Sequence, residues 1–274
     1  MAKVVNSTSP LPFTIDPAHR NAMPQARFQE LADQRPTLIL IDDDLIYAGP
    51  PFDLTPHCVA VTTIAIAIDS PFELEIKGQP ALPSRAIAVI PARTLHHLRA
   101  PSRMAFVYTG MRIDGVAPHM LEPAQVAAER LMNECQEDAQ ILAHASALLA
   151  MLAIPKGVPS PAVSLALRKM TASPWDFRTA EQTAAHVALP TQLFRRRVKR
   201  ETGMTFGQHR QRALVHAALR ALAQGENLTF AAHSAGFSSS AHLSSTVRRM
   251  FGLMPSRLLK AGVRVVVGKR AAFL

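Results

Sequence analysis

The chain has 274 residues, 48% hydrophobic and 18% charged, which suits two ordinary globular domains and excludes a long disordered tract. Its net charge of +10 is unevenly placed: Met1–Gly157 has 12 Lys+Arg against 16 Asp+Glu, a net of −4, and Val158–Leu274 has 18 against 4, a net of +14. A field that positive in one half points to an anionic partner there and to a different task for the other half.

The longest apolar runs, such as Val59–Ile68, fall short of the roughly 20 residues of a membrane span, so no transmembrane helix is expected. The first residues, MAKVVNSTSPLPF, lack the apolar core of a secretory signal. Cys58 and Cys135 stand far apart without a CxxC, which suits a reducing cytoplasm and argues against structural zinc or a disulfide framework.

Residues 1–36 are polar and proline-bearing, read as a poorly ordered segment with a short helix at Gln25–Gln34. Strand texture begins at Thr37–Ile41 and Leu45–Tyr47, around an Asp42-Asp43-Asp44 turn, and continues at Cys58–Ile68. In Phe72–Lys77 the residues Phe72, Leu74 and Ile76 alternate with Glu73, Glu75 and Lys77, the period of a half-buried strand. Arg85–Ile90, Leu95–Arg99 and Met104–Thr109 extend the series, and short strands with Gly and Pro turns predict an antiparallel barrel or jelly roll. After Met111 the pattern turns helical, over Glu122–Cys135 and Glu137–Ala153. In the second helix Ile141, Ala145, Leu148 and Leu152 form a narrow seam that suits either packing on the barrel or a homodimer contact. Ile154–Pro161, with three prolines and a glycine, reads as a linker and coincides with the change in charge.

Beyond a lead helix at Ser160–Ala172, the chain twice repeats a short helix, a tight turn and a second helix, the helix-turn-helix plan for placing a helix in a DNA major groove. In the first unit Thr179 and Gln182 fit a capping box, Leu189-Pro190 makes the turn, and Gly203 closes a second helix of about residues 190–201. On that helix Gln192, Arg195, Arg196 and Lys199 share one face while Phe194 and Val198 point inward. Gln suits adenine and Arg suits guanine, while Lys199 and Arg200 suit phosphates. Five of the six residues Arg195–Arg200 are basic, which is self-repulsive without a polyanion. Phe206–Gln224 reads as a spacer helix stopped by Gly225. The second unit opens near Thr229, turns at Gly236-Phe237-Ser238 with Ser238 as the expected N-cap, and resumes over residues 239–251. Leu243, Val247, Met250 and Phe251 make its buried stripe, leaving Ser239, Ser240, Ala241, Ser244, Ser245 and Arg248 for DNA.

Two resemblances follow. Ala86–Leu98, AIAVIPARTLHHL, resembles the second motif of cupin barrels, a likeness that extends over Asp53–Met111. The metal-binding first motif is missing: Pro56-His57-Cys58 supplies one His and no nearby carboxylate, whereas a catalytic metal generally has three protein ligands. His57, His96 and His97 therefore read first as ordinary strand histidines, with His57 and His96 the candidates for an effector pocket. The twin motif, with Glu201-Thr202-Gly203-Met204-Thr205-Phe206 after the first unit and Gly236-Phe237-Ser238 and Phe251-Gly252-Leu253-Met254-Pro255-Ser256 in the second, resembles the AraC/XylS family of bacterial transcriptional regulators over about Ser160–Leu259. That resemblance implies recognition helices in successive major grooves. Gln192, Arg195 and Arg196 match base-reading positions in the first, and Ser240, Ala241 and Ser245 match them in the second. It also implies an N-terminal cupin-like domain that binds a small-molecule effector or dimerises, and, for an activator, contact with RNA polymerase. The chain departs from the family in having Val198 and Val247 where aromatics are usual, Arg197 where an apolar residue is common, and Ser245 where Arg is frequent. Specificity is thus expected mainly in the first unit.

The expected architecture is α+β: residues 37–153 as a cupin-like antiparallel β-barrel with flanking helices, 154–161 as linker, 162–260 as an all-α double helix-turn-helix domain, and 261–274 as a tail without a reading. The expected protein is a cytoplasmic, nucleoid-associated regulator of double-stranded DNA without catalytic residues, metal or cofactor. The alternatives are a metal-dependent cupin enzyme fused to a DNA-binding domain, or an architectural DNA binder without an effector.

Overall fold

The computed structural model describes residues 35–51, 55–80, 84–110, 121–135, 137–152 and 159–269. The Gln25–Gln34 helix lies outside these residues, as does most of the linker. Seven strands come first: β1 (Thr37–Ile41), β2 (Asp44–Gly49), β3 (Thr62–Ala67), β4 (Glu73–Ile76), β5 (Ile87–Ile90), β6 (His96–Arg99) and β7 (Met104–Thr109). Helices α1 (Glu122–Asn133), α2 (Asp138–Met151) and α3 (Pro161–Ala172) follow. The helix-turn-helix region supplies α4 (Ala180–His186), α5 (Thr191–Thr202), α6 (Phe206–Ala223), α7 (Leu228–Ser234), α8 (Ser240–Phe251) and α9 (Pro255–Lys260), and the chain then forms a last strand, β8 (Arg264–Gly268).

The large sheet has the order β5-β3-β7-β2-β1-β8, and β4 pairs with β6 in a second, two-stranded sheet. The sheets meet through a Phe72–Arg85 bridge and share one core, into which Leu45, Tyr47, Ala65, Ile90 and Phe106 project from the large sheet and Phe72, Leu74 and Leu98 from the small one. The alternate residues of the large sheet, among them Ile39, Ile46, Ile64, Ile66 and Val107, pack beneath α1 and α2. Burial on both faces explains why β3 and β7 read as unbroken apolar runs, whereas β4 alternates because Glu73 and Glu75 face solvent. The seam Ile141, Ala145, Leu148 and Leu152 is buried against that sheet, so of its two readings the internal one holds.

The tail is where the fold departs from an all-antiparallel barrel. Residues 264–268 return to the N-terminal sheet and pair in parallel with β1, Thr37 opposite Arg264 and Ile41 opposite Gly268. Val266 goes to the α1/α2 side, while Val265 and Val267 pack toward the helix-turn-helix region. The inner β core is also continuous with Val215, Leu219, Leu243 and Phe251 of α6 and α8, so the helices and the sheets close on one another.

Candidate nucleic-acid interface

The first unit is built by local rules. The Thr179 hydroxyl accepts the Gln182 N–H at 3.2 Å and the Gln182 side chain accepts the Thr179 N–H at 3.3 Å, which satisfies two free donors at the start of α4. Pro190 occupies the N-cap of α5, and Gly203 ends the helix in the left-handed region at φ 78°. Phe194 and Val198 are fully buried, with Phe194 edge-on to Phe206 at 5.9 Å. Gln192, Arg195, Arg196, Lys199 and Arg200 are all exposed, and Arg197 is half-buried.

Three contacts of this unit escaped the sequence reading. Arg195 donates to Glu181 Oε1 at 2.8 Å, an exposed pair that a phosphate or base edge would readily replace. Lys199 donates to the Gly203 carbonyl at 2.6 Å, covering a free acceptor at the end of α5. Glu201 accepts from the Ser160 N–H and hydroxyl at 2.9 and 2.8 Å, fastening α5 to the start of α3.

The second unit is similar with a blander face. Its N-cap is Ser239, whose hydroxyl accepts the His242 N–H at 3.1 Å; Ser238, the expected cap, instead contacts His242 Nδ1 at 3.0 Å. Ala241, Ser245 and Arg248 are exposed and Ser239, Ser240 and Ser244 half-exposed, while Leu243, Val247, Met250 and Phe251 are buried.

The far end of α8 rests on the β domain. The Ala60 N–H donates to the Met250 carbonyl at 3.1 Å, Phe251 meets Tyr108 edge-on at 5.3 Å, and Gly252, at φ 73°, lies against His57. The structure brings His57 and His96 together: their backbones exchange hydrogen bonds at 3.0 Å and their ring centroids are 4.6 Å apart. Each Nδ1–H donates to a nearby carbonyl, Thr55 at 3.0 Å and Thr94 at 2.8 Å, leaving Nε2 as the acceptor. Burial lowers the pKa of both, so the rings are neutral near pH 7. His97 instead lies toward Glu75, 3.9 Å away. The space beside His57 and His96 is about 30 Å³, lined by Thr63, Ile90, Leu98, Phe106, Tyr108 and Phe251, room for about one water. Among the described residues no group of three or more His, Cys, Asp or Glu is placed to hold a metal ion.

A second contact ties the β1–β2 turn to α6. Arg212 lies 3.7 Å from Asp43, and its guanidinium fills the place that a side chain at Gly110 would need. His209 Nε2–H donates to the Thr202 hydroxyl at 2.8 Å, and Arg212 approaches His209 Nδ1 at 3.5 Å. Burial, reinforced by Arg212, lowers the His209 pKa to about 3 and shifts that of the fully buried His216 in the same direction. Partial burial alone would raise the Asp43 carboxyl; Arg212 leads the groups that hold it below its ordinary value.

The family described as Helix-turn-helix domain matches residues 183–261. Among solved structures, ToxT from Vibrio cholerae with bound unsaturated fatty acid aligns at 11% identity and TM-score 0.47 over 84% of this chain and 96% of its own. A second Vibrio cholerae ToxT structure aligns at 12% and 0.45, over 83% and 96%. The C-terminal domain of AraT, a response regulator from Geobacillus stearothermophilus, aligns at 18% and 0.34, over 38% and 87%. No curated protein sequence matches the chain. Among the described residues no helix is long and apolar enough to cross a membrane. The family match takes in most of α4 and all of α5 to α9, so residues 183–261 carry an AraC-type helix-turn-helix domain of two units, behind an N-terminal β domain.

Proposed function

We propose that the protein is a sequence-specific regulator whose helices α5 and α8 enter successive major grooves, with the β domain setting their placement. The observation that carries this reading is the outward face of α5. Gln192, Arg195, Arg196 and Lys199 stand exposed in register on a helix whose opposite face, Phe194 and Val198, is fully buried. Gln192, Arg195 and Arg196 read bases; Lys199 and Arg200 hold phosphates. The second unit anchors through Ser239, Ser240, Ala241, Ser244, Ser245 and Arg248. The protein acts on the nucleoid in the cytoplasm, as residues 162–260 reading DNA and residues 37–153 controlling them through a small molecule or a second copy. An activating complex would also meet RNA polymerase.

Gel-shift titration on a site selected from random DNA tests the assignment. Affinity should fall steeply with salt, and Arg195→Ala combined with Arg196→Ala should erase most of the preference over unrelated DNA, each good base contact accounting for about 1–3 kcal/mol. Unchanged site preference in the double variant sinks the base-reading role.

A further inference from the structure

The side chains on the outward face of α8 are short, and several have their polar atoms occupied within the protein. Ser239 gives its hydroxyl to the His242 N–H as the cap, Ala241 has no polar group, and Ser245 turns its hydroxyl back to the His242 carbonyl at 2.9 Å. Arg248 stands exposed one turn before Gly252, the place that Lys199, a phosphate contact in the proposed complex, holds before Gly203. That leaves His242 as the one long polar side chain in the first two turns of α8, and it is exposed. Its ring is held in place. It meets Phe237 edge-on, with ring centroids 5.2 Å apart, and Phe237 is itself buried in the turn between α7 and α8. Its Nδ1 lies 3.0 Å from the Ser238 hydroxyl, so groups that precede the helix fix the ring. Nε2, at the far edge, has no hydrogen-bond partner among the described residues. The start of α8 is the positive end of its dipole, which favours the lone pair on Nδ1, toward the turn with Ser238 donating, and the proton on Nε2, toward solvent.

We propose that His242 is a specificity-determining residue of the second unit, its Nε2–H donating to a guanine in the major groove that α8 enters. The N-terminal residues of a recognition helix are the ones that meet base edges, and His242 is the third residue of α8. Guanine offers acceptors at both O6 and N7, whereas adenine sets an amino group beside its N7, so a single fixed donor is best met by guanine. A ring already ordered by Phe237 and Ser238 gives up little freedom on binding. The second unit therefore reads sequence as well as anchoring, through a residue that neither the charge count nor the apolar period marks. The assignment rests on the placement of α8 in a major groove proposed above.

The test uses the full chain and the site selected from random DNA. Gel shifts measure binding to that site and to each of its single-base-pair variants, over a range of salt, at a temperature where melting shows every protein folded. The two variants are His242→Ala and His242→Leu, the second keeping bulk over Phe237 without a donor. Each should lose about three- to tenfold of the preference for one G·C pair, as for one net hydrogen bond. That pair should lie about one helical turn from those altered by Arg195→Ala. Preferences at the pairs facing α5, and the slope of affinity against salt, should stay as in the wild type, because the contact is to a base and not to a phosphate. Wild-type preference in both variants overturns the proposal, as does a lost preference that falls on an A·T pair. An equal loss on every sequence with a shallower salt slope also overturns it, since that marks a phosphate contact. Intact preference in both His242 variants, beside its loss in Arg195→Ala with Arg196→Ala, removes this assignment and leaves the regulator reading. A wild-type chain that prefers no sequence removes that reading and this assignment with it.

Discussion

Acid should loosen this protein well before carboxylates titrate, and His209 is one reason, beside His216. The ring sits under Arg212 with Asp43 across the domain contact and His216 and Arg220 further along the same helix; its proton is on Nε2, donated to Thr202. Its pKa is lowered to about 3, first by burial and then by Arg212, with Asp43 opposing. A histidine kept neutral in the fold takes up a proton only on unfolding, so stability is complete above the ordinary histidine pKa of about 6.5. It is then lost progressively as pH falls toward about 3. Going from about pH 7 to about pH 5 costs about 2 kcal/mol for one such histidine, from 1.36 kcal/mol per pH unit between the ordinary pKa and pH 5. For a chain of this size that is a drop in Tm of about 4–8 °C. His209→Gln places an amide donor near the Nε2 position and does not titrate, so it should keep much of the neutral-pH stability and remove about 2 kcal/mol of the acid loss. Thermal melting by circular dichroism from about pH 7 to about pH 5 checks this, and an acid slope in His209→Gln equal to that of the wild type refutes the reasoning.

Other expectations come from the same contacts. Both ring nitrogens of His216 are buried without a hydrogen-bond partner, so His216→Leu should hold or raise stability at neutral pH, by about 1 kcal/mol, read in a denaturant melt. Gly252→Ala puts a Cβ at φ 73° and 2.9 Å from His57 Nε2; it should cost at least about 1 kcal/mol, and His57→Ala should recover part of that in a double-mutant cycle. Val266→Ala in β8 should lower stability by about 1.5 kcal/mol, two buried methyl groups' worth, measurable as a shift in denaturant midpoint; a tail that does not pair would show no change.

Much of the molecule was legible because it is locally determined. The alternation of Phe72–Lys77, the Thr179–Gln182 capping box, the glycine stop at Gly203 and the twin motif are each decided by neighbours within a few residues, and each stands where periodicity placed it. Strand β8 was not legible, since its partner β1 is more than two hundred residues away and a short Val-rich run carries no address for a parallel pairing. The residues around His209 and the Arg195–Glu181 pair were missed for the same reason: each joins segments whose meeting depends on the closed fold. For α2 the seam was legible but its partner was not, because a stripe of apolar residues looks alike whether it meets a sheet or a second copy.

The division of charge has a double use that the count alone does not separate. The excess of positive charge in the basic half suits a polyanion, and the residues of α5 that would meet it are exposed. Yet two of its arginines face inward to the acidic half: Arg212 toward Asp43, and Arg264 to Asp138 at 2.6 Å. Arg212 lies on α6, the helix joining the two helix-turn-helix units, and Arg264 opens β8, the strand that finishes the N-terminal sheet. The acidic domain thus holds the basic one at the spacer between the units, at the end of α8 through Ala60, Tyr108 and His57, and along the sheet edge. With three separate attachments a shift of one helix-turn-helix unit cannot leave the β domain undisturbed.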